Sequence, residues 1–243
     1  MILFIVAKLL FLFPITLGLN YLCMMKMQRG TDYIYQLIKQ GEHQQQDFKF
    51  EISDARKIAK SLSAFSNTDG GRLLVGVKDN GKIAGVRSEE EIYMIEAAAK
   101  LYSKPEVHCN MHLYEIEGHQ VLEVVIPKGE SAPYYAKDEN NHYKAYIRIK
   151  DENILATPVH LRLWQSQYAQ KGVFVRYSTP EQHLLHFLSQ NEKISLTQCC
   201  KQIGISRPKA IDTLAKFIHF GLIEPIYIEK KFFYRLCPPS PTL

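Results

Sequence analysis

The chain has 243 residues, 46% of them apolar, with 30 Lys and Arg against 25 Asp and Glu, a formal charge of +5 and a pI near 8.8. That length and apolar share give one or two globular domains with real cores and exclude a chain too polar to bury one. The small positive excess favours acidic partners over basic ones without by itself implying nucleic acid. Five cysteines, Cys23, Cys109, Cys199, Cys200 and Cys237, have no Cys-x-x-Cys spacing, so they read as free thiols in a reducing, cytoplasmic setting, and no His/Cys grouping has structural-zinc spacing.

Residues 1–27 open with an almost wholly apolar run from Ile2 to Cys23, followed by Met24-Met25-Lys26-Met27. Three readings compete: a start assigned too early, with translation beginning at one of the clustered methionines; a membrane anchor, interrupted by Lys8, Pro14 and Asn20 where about 20 clean apolar residues are usual; and a buried helix. A signal peptide fits less well, because a basic n-region and a small-residue cleavage site are missing. A membrane is a partner only if residues 1–24 are translated.

The next region, 28–157, reads as one domain. Residues 31–41 form a short amphipathic helix with Tyr33, Leu37 and Ile38 apolar, and its end delivers Glu42. The apolar run 48–52 leads into a helix over 53–65, where Ile58, Leu62 and Phe65 recur at helical spacing. Asn67-Thr68-Asp69-Gly70-Gly71 stops that helix. A buried strand over 73–77 follows, then an Asp79-Asn80-Gly81 hairpin turn whose central residues tolerate positive φ, then a strand over 83–86. Ser88 and Glu91 form a capping box for a helix with Ile92, Ile95, Ala99 and Tyr102 inside. Strands over 107–116 and 120–126 flank Glu117-Gly118-His119, and a last pair of strands, with Tyr143 to Ile149 as the second, surrounds a polar loop over 137–142.

Glu42, Asp47-Phe48-Lys49, the run Ala64-Phe65-Ser66-Asn67-Thr68-Asp69-Gly70-Gly71, then Leu73-Leu74-Val75-Gly76-Val77-Lys78-Asp79, and later Tyr146-Ile147-Arg148 followed by Asp151-Glu152-Asn153 together resemble the Schlafen-type AlbA-like domain, also filed as a divergent AAA family. The likeness covers roughly residues 31–157. It implies an α+β fold with a mixed AlbA/Schlafen-like sheet and a role with nucleic acid, DNA favoured over RNA. In relatives that cleave RNA, the residues matching Glu42, Asp47 and Asp79 carry the activity. The resemblance thus nominates these three as catalytic carboxylates that would hold Mg or Mn if the protein were a metal-dependent endoribonuclease. Asp47 stands where the family usually has Glu. On the structural alternative Glu42 caps a helix, Asp47 pairs with a base such as Lys49, and Asp79 makes a side-chain turn bond. The family is often labelled ATP-binding, but residues 76–83, Gly-Val-Lys-Asp-Asn-Gly-Lys-Ile, miss the P-loop pattern because Ile83 begins a strand and not a helix. AlbA-like domains often pair, which makes a homodimer an expectation.

Lys49, Arg56, Lys57, Lys60, Arg72, Lys78 and Arg148 are candidates for a phosphate-facing surface, with Lys49, Arg72 and Arg148 preferred. Residues 158–178 read as a linking helix and linker, with Leu161, Leu163 and Trp164 covering the sheet. Over 179–243 the pattern changes to three short helices and a hairpin. Thr179 caps the first helix, 195–203 forms the second, and 206–220 the third, while strands over 223–228 and 232–236 pair across Glu229-Lys230-Lys231. This is similar to a winged helix-turn-helix in which 206–220 is the recognition helix and the basic turn the wing. The region holds eight Lys and Arg against five acids, and Arg207, Lys209, Lys230 and Lys231 are the candidate DNA contacts. The sequence therefore points to a DNA-binding transcriptional regulator, with the metal-dependent endoribonuclease and a nucleotide-binding module as alternatives.

Overall fold

The computed structural model describes residues 30–130, 132–165 and 177–238, which divide into one unit ending at Ile154 and another starting at Leu155. The apolar run 2–23 and the stretch 166–176 of the expected linker lie outside the described residues. No helix among the described residues is long and apolar enough to cross a membrane.

In chain order the first unit runs α1 (Thr31–Gln40), β1 (Gln46–Lys49), α2 (Ala55–Ser66), β2 (Gly71–Val75), α3 (Glu90–Lys100), β3 (Ser103–Lys104), β4 (Asn110–Ile116), β5 (His119–Ile126), β6 (Tyr135–Lys137), β7 (Tyr143–Ile149) and β8 (Glu152–Leu155). One sheet has the order β1-β2-β5-β4 and the other β3-β6-β7-β8. β1 and β2 are parallel, because α2 carries the chain back between them, while β2, β5 and β4 are antiparallel. The result is the mixed α+β architecture expected.

Alternation along β2 sets the layers. Leu73 and Val75 join Ile58, Leu62 and Phe65 of α2 and Ile92 and Ile95 of α3 in the main core, while Leu74 points the other way and joins Ile34 and Leu37 of α1. Burying a side chain such as Phe65 contributes about 2–3 kcal/mol. α2 begins at Asp54, whose carboxylate accepts the Arg56 N–H at 2.8 Å, and ends where Gly70, at φ +68°, reverses the chain into β2.

Three local expectations are corrected. Residues 83–86 form no strand: Val77 and Ile83 make one isolated bridge, and the Ala84 and Gly85 amides both donate to the Gly76 carbonyl. Gly76 has φ +88°, and a Cβ there would stand 2.7 Å from the Gly85 carbonyl carbon, so this loop closes on itself. In the turn before it only Gly81 has positive φ (+78°), so Asn80 keeps an ordinary backbone and its Oδ1 accepts the Lys82 N–H at 3.1 Å. The tight two-residue turns are instead Glu117-Gly118 and Glu229-Lys230, all four at positive φ. Glu91 does not close a box on Ser88; it is buried, and its carboxylate accepts the Ile52 N–H at 2.9 Å and the Arg87 N–H at 2.8 Å, tying two loops to α3.

The second unit comprises α4 (Pro158–Gln165), α5 (Thr179–Gln190), α6 (Leu196–Ile203), α7 (Arg207–His219), β9 (Ile223–Ile228) and β10 (Lys231–Leu236). Val159 of α4 lies in this unit's core with Leu184, Leu188, Leu214, Phe217 and Tyr234, and Leu163, expected to cover the sheet, packs against this core, so α4 belongs to the second unit. α5 is capped by Ser178, not Thr179: the Glu181 carboxylate accepts the Ser178 N–H at 2.7 Å and also meets Lys216 of α7 at 2.9 Å. Ile194 and Tyr234 exchange backbone hydrogen bonds of 2.9 and 2.8 Å, fastening the β9–β10 hairpin to the segment before α6. Gly204, left-handed at φ +69°, ends α6 and sets the turn into α7.

Candidate functional site

The Asn-Thr pair after α2 is a fastener between helix and sheet. The Asn67 side chain behaves like a strand backbone: its Nδ2 donates to the carbonyls of Tyr134 and Tyr146 at 2.8 and 2.9 Å, and its Oδ1 accepts the Tyr134 N–H at 2.7 Å. Ser63, one turn earlier, donates to the same Tyr134 carbonyl and accepts the Tyr146 N–H. Thr68 Oγ1 donates to the Ala64 carbonyl and accepts the Arg148 N–H at 2.9 Å. The Gly-Gly that follows is demanded by packing, since a Cβ on Gly71 would stand 2.4 Å from the Phe65 ring.

These bonds place Arg148 over α2. Its guanidinium, 1% exposed, lies against the Phe65 ring, donates to Asn153 Oδ1 at 3.0 Å and to the Gln46 carbonyl at 3.2 Å, and stands 3.3 Å from Asp47 Oδ1. Asn153 in turn donates to Ser61 Oγ. Arg148 is therefore turned away from nucleic acid: it is buried, its two Nη groups are engaged inside the domain, and its Nε is enclosed without a hydrogen-bond partner among the described residues.

Asp47 is buried, and Lys49 Nζ reaches its other oxygen at 2.6 Å, so the expected Asp47–Lys49 pairing holds. Glu42 caps no helix; its Oε1 accepts the Phe48 N–H at 2.9 Å, which holds it beside Asp47. Burial raises the Glu42 pKa above its ordinary value, and the hydrogen bond with Asp47 and that carboxylate's charge add to the rise, against the Phe48 amide and Lys49. Burial works to raise the Asp47 pKa too, but the hydrogen bond from Glu42 and the charges of Lys49 and Arg148 outweigh it and lower it. The pair thus favours one shared proton, on Glu42.

The three-carboxylate expectation fails on this geometry. Asp79 is exposed in the turn after β2, and among the described residues no group of three His, Cys, Asp or Glu could hold a metal ion. Both oxygens of Asp47 face cations already, so this donor set does not fit Mg or Mn. The loop over 76–83 fits a nucleotide's phosphates no better: Lys78 N–H donates to the Lys82 carbonyl and Gly81 N–H to the Lys78 carbonyl, so these amides serve the loop itself.

Lys49 and Arg72 also turn inward. Arg72 Nη1 lies 3.3 Å from Glu123 Oε1, and Glu123, 2% exposed, accepts the Tyr33 and Tyr114 hydroxyls at 2.8 and 3.3 Å. Burial and then the Glu123 carboxylate raise the Tyr33 pKa, and the same causes push Tyr114 up to about 12. Arg56 lies over the Tyr102 ring and Lys78 over Phe50. Of the seven basic candidates in this unit Lys57 alone is exposed, the other six being partly or fully buried. Glu123 was missed by the sequence reading, although an isolated acid within the apolar strand Val121-Leu122-Glu123-Val124 signals a buried cation partner.

The second unit differs. Arg207 and Lys209 lie in the first turn of α7, and Lys230 and Lys231 at the tip of the β9–β10 hairpin; all four are exposed, and none is in an ion pair with a described residue. Phe232 and Phe233, which follow Lys231, are only partly buried, an aromatic run the sequence displayed but whose exposure it could not give.

Residues 42–157 match the family model described as Schlafen, AlbA_2. Among curated proteins, none matches the chain. Similar solved structures include a protein of Corynebacterium diphtheriae, 20% identical with a TM-score of 0.39 over 60% of this chain and 32% of its own, so this chain spans about a third of that protein. Another is the N-terminal domain of a putative ATP-dependent DNA helicase RecG-related protein from Nitrosomonas europaea, 21% identical with a TM-score of 0.37 over 63% of this chain and 98% of that domain.

Proposed function

We propose that this chain, whose residues 42–157 belong to the Schlafen, AlbA_2 family, is a DNA-binding regulator that grips duplex DNA with its second unit. α6, the Gly204 turn and α7 read as a helix-turn-helix, and the β9–β10 hairpin as its wing, so the unit is a winged helix-turn-helix. The observation that carries the reading is the contrast in cations. Lys49, Arg72 and Arg148 are held by internal acids, whereas Arg207, Lys209, Lys230 and Lys231 face solvent without acidic partners among the described residues. A cation with no internal partner is free to neutralise a phosphate and release counterions, which is the main source of affinity for DNA. The first turn of a recognition helix is also where side chains reach base edges.

The test is a mobility-shift titration of the full chain against duplex DNA, single-stranded DNA and structured RNA across a salt series. The reading expects a salt-sensitive shift of intact duplex that the double variant Arg207→Ala/Lys209→Ala weakens, with its melting unchanged. A duplex affinity that survives this variant sinks the assignment to α7, and a preference for RNA sinks the DNA reading.

A further inference from the structure

We propose that the second unit carries a separate binding site for a single aromatic anion of nucleotide size. An open cavity of about 520 Å³ lies between Thr157, the starts of α6 and α7, and β10, within the range of small-ligand sites of roughly 300–1,000 Å³. Its two charged lining residues are Arg207 and Lys231, and no acid is among the described residues that line it. Its wall is the aromatic run Phe232, Phe233 and Tyr234. Phe232 is fixed in place, with the Tyr227 ring at 4.8 Å and the His160 ring edge-on at 4.9 Å. His160 is itself locked by Thr157 Oγ1, 2.7 Å from its Nδ1, and burial lowers its pKa to about 4, so the wall stays uncharged at neutral pH.

Each half of this lining asks for a different part of one ligand. Two unopposed cations call for a phosphate or carboxylate, and a rigid aromatic wall calls for a stacked ring. Inorganic phosphate leaves the wall unused, and a neutral ring leaves the cations unused. A nucleoside monophosphate uses both. Duplex DNA keeps its bases inside the helix and cannot offer a ring to the cavity, so this site does not depend on the duplex reading, although it shares Arg207 with it. The same chemistry comes from two sources, a free mononucleotide or one unstacked nucleotide of a single strand.

Trp164 is the single tryptophan of the chain, and its ring lies 6.1 Å from that of His160, so its emission reports on the wall. The full chain is titrated with AMP, adenosine, inorganic phosphate and a short oligo-dA strand, with calorimetry alongside. The expected result is a saturable change with AMP at sub-millimolar concentration, at least about tenfold weaker with adenosine or phosphate alone. The exposed variant Lys231→Glu, checked for unchanged melting, loses about tenfold or more in AMP affinity. Oligo-dA binding tighter than AMP assigns the ligand to a strand, and equal or weaker binding to the free nucleotide. No saturable signal by either method, or equal AMP affinity in Lys231→Glu, overturns the site. A duplex shift without AMP binding overturns this inference alone, and AMP binding without a duplex shift overturns only the DNA reading.

Discussion

Arg148 and Asp47 meet across the helix-sheet layer, Nη2 to Oδ1 at 3.3 Å, with side-chain exposures of 1% and 6%. Removing Arg148 leaves buried Asp47 with Lys49 as its one cation partner among the described residues and strips the Gln46 carbonyl and Asn153 of a donor. Arg148→Ala is therefore expected to destabilise the first unit by about 3–5 kcal/mol. Arg148→Lys does not restore it, because one ammonium cannot reach Asn153, the Gln46 carbonyl and Asp47 with the geometry of the guanidinium fork. Urea denaturation followed by circular dichroism checks both. A variant as stable as the parent would show that the pair is not holding β1 to β7.

Asn67 makes three hydrogen bonds to the backbone of the 134 and 146 segments, and their loss removes a partner from the Tyr134 N–H and the Tyr146 carbonyl while the Tyr134 carbonyl keeps Ser63. Asn67→Ala should cost about 2–4 kcal/mol. Asn67→Asp keeps the size but replaces the two donated hydrogens with a carboxylate oxygen facing the Tyr134 and Tyr146 carbonyls, so it should be no better. Thermal melts of the two variants beside Ser63→Ala, which shares one acceptor, separate loss of bonds from loss of volume.

The helices and the longer strands were legible in the sequence because their signals are local: the spacing of Ile58, Leu62 and Phe65, the alternation around Leu74, the breaks at Gly70, Gly118 and Gly204. The short strands β1, β3 and β8 carry too few residues to show a pattern, and 83–86 reads as a strand it does not form. What was not legible is long-range. Asn67 reads as a helix stop, and only the fold shows that its side chain replaces a strand neighbour 67 residues away. The motif cations read as a phosphate surface, but whether Arg148 faces solvent or Asp47 depends on β7 crossing α2, which no local pattern encodes. Asp79, nominated by the resemblance alone, stands exposed in the turn after β2 and in no metal-holding group among the described residues. The second-unit candidates Arg207, Lys209, Lys230 and Lys231 were read from helix and turn positions, and exposure follows from those positions alone.

The Glu42–Asp47 pair gives stability two opposed pH dependences. Asp47 has a pKa lowered from 3.8, so its contribution is full above 3.8 and is lost as the pH falls through the lowered value. Glu42 has a pKa raised from 4.5, so its contribution is full below 4.5 and is lost as the pH rises through the raised value. Glu42→Gln supplies a permanent donor in place of the protonated acid. It should remove the decline on the alkaline side and keep the decline in acid, giving a variant at least as stable as the parent at neutral pH. Chemical denaturation from acid to neutral pH measures both arms, and parallel curves for parent and variant would rule out the shared proton.

Salt and chelator separate the two units. Each phosphate contact contributes about 0.9 to the slope of log affinity against log salt on duplex DNA, so Arg207→Ala and Lys230→Ala should each flatten that slope by about 0.9. Lys49→Ala should leave it unchanged, because that ammonium is already held at 2.6 Å by Asp47. Arg72→Ala should also leave the slope unchanged but lower the melting temperature, since Glu123 is then buried with only hydroxyl partners. EDTA should alter neither slope nor melting, because the oxygens of Asp47 face Lys49 and Arg148 and Asp79 stands in no metal-holding group among the described residues. A slope that falls with Lys49→Ala, or a melting temperature that falls with EDTA, would return the first unit to the centre of the function.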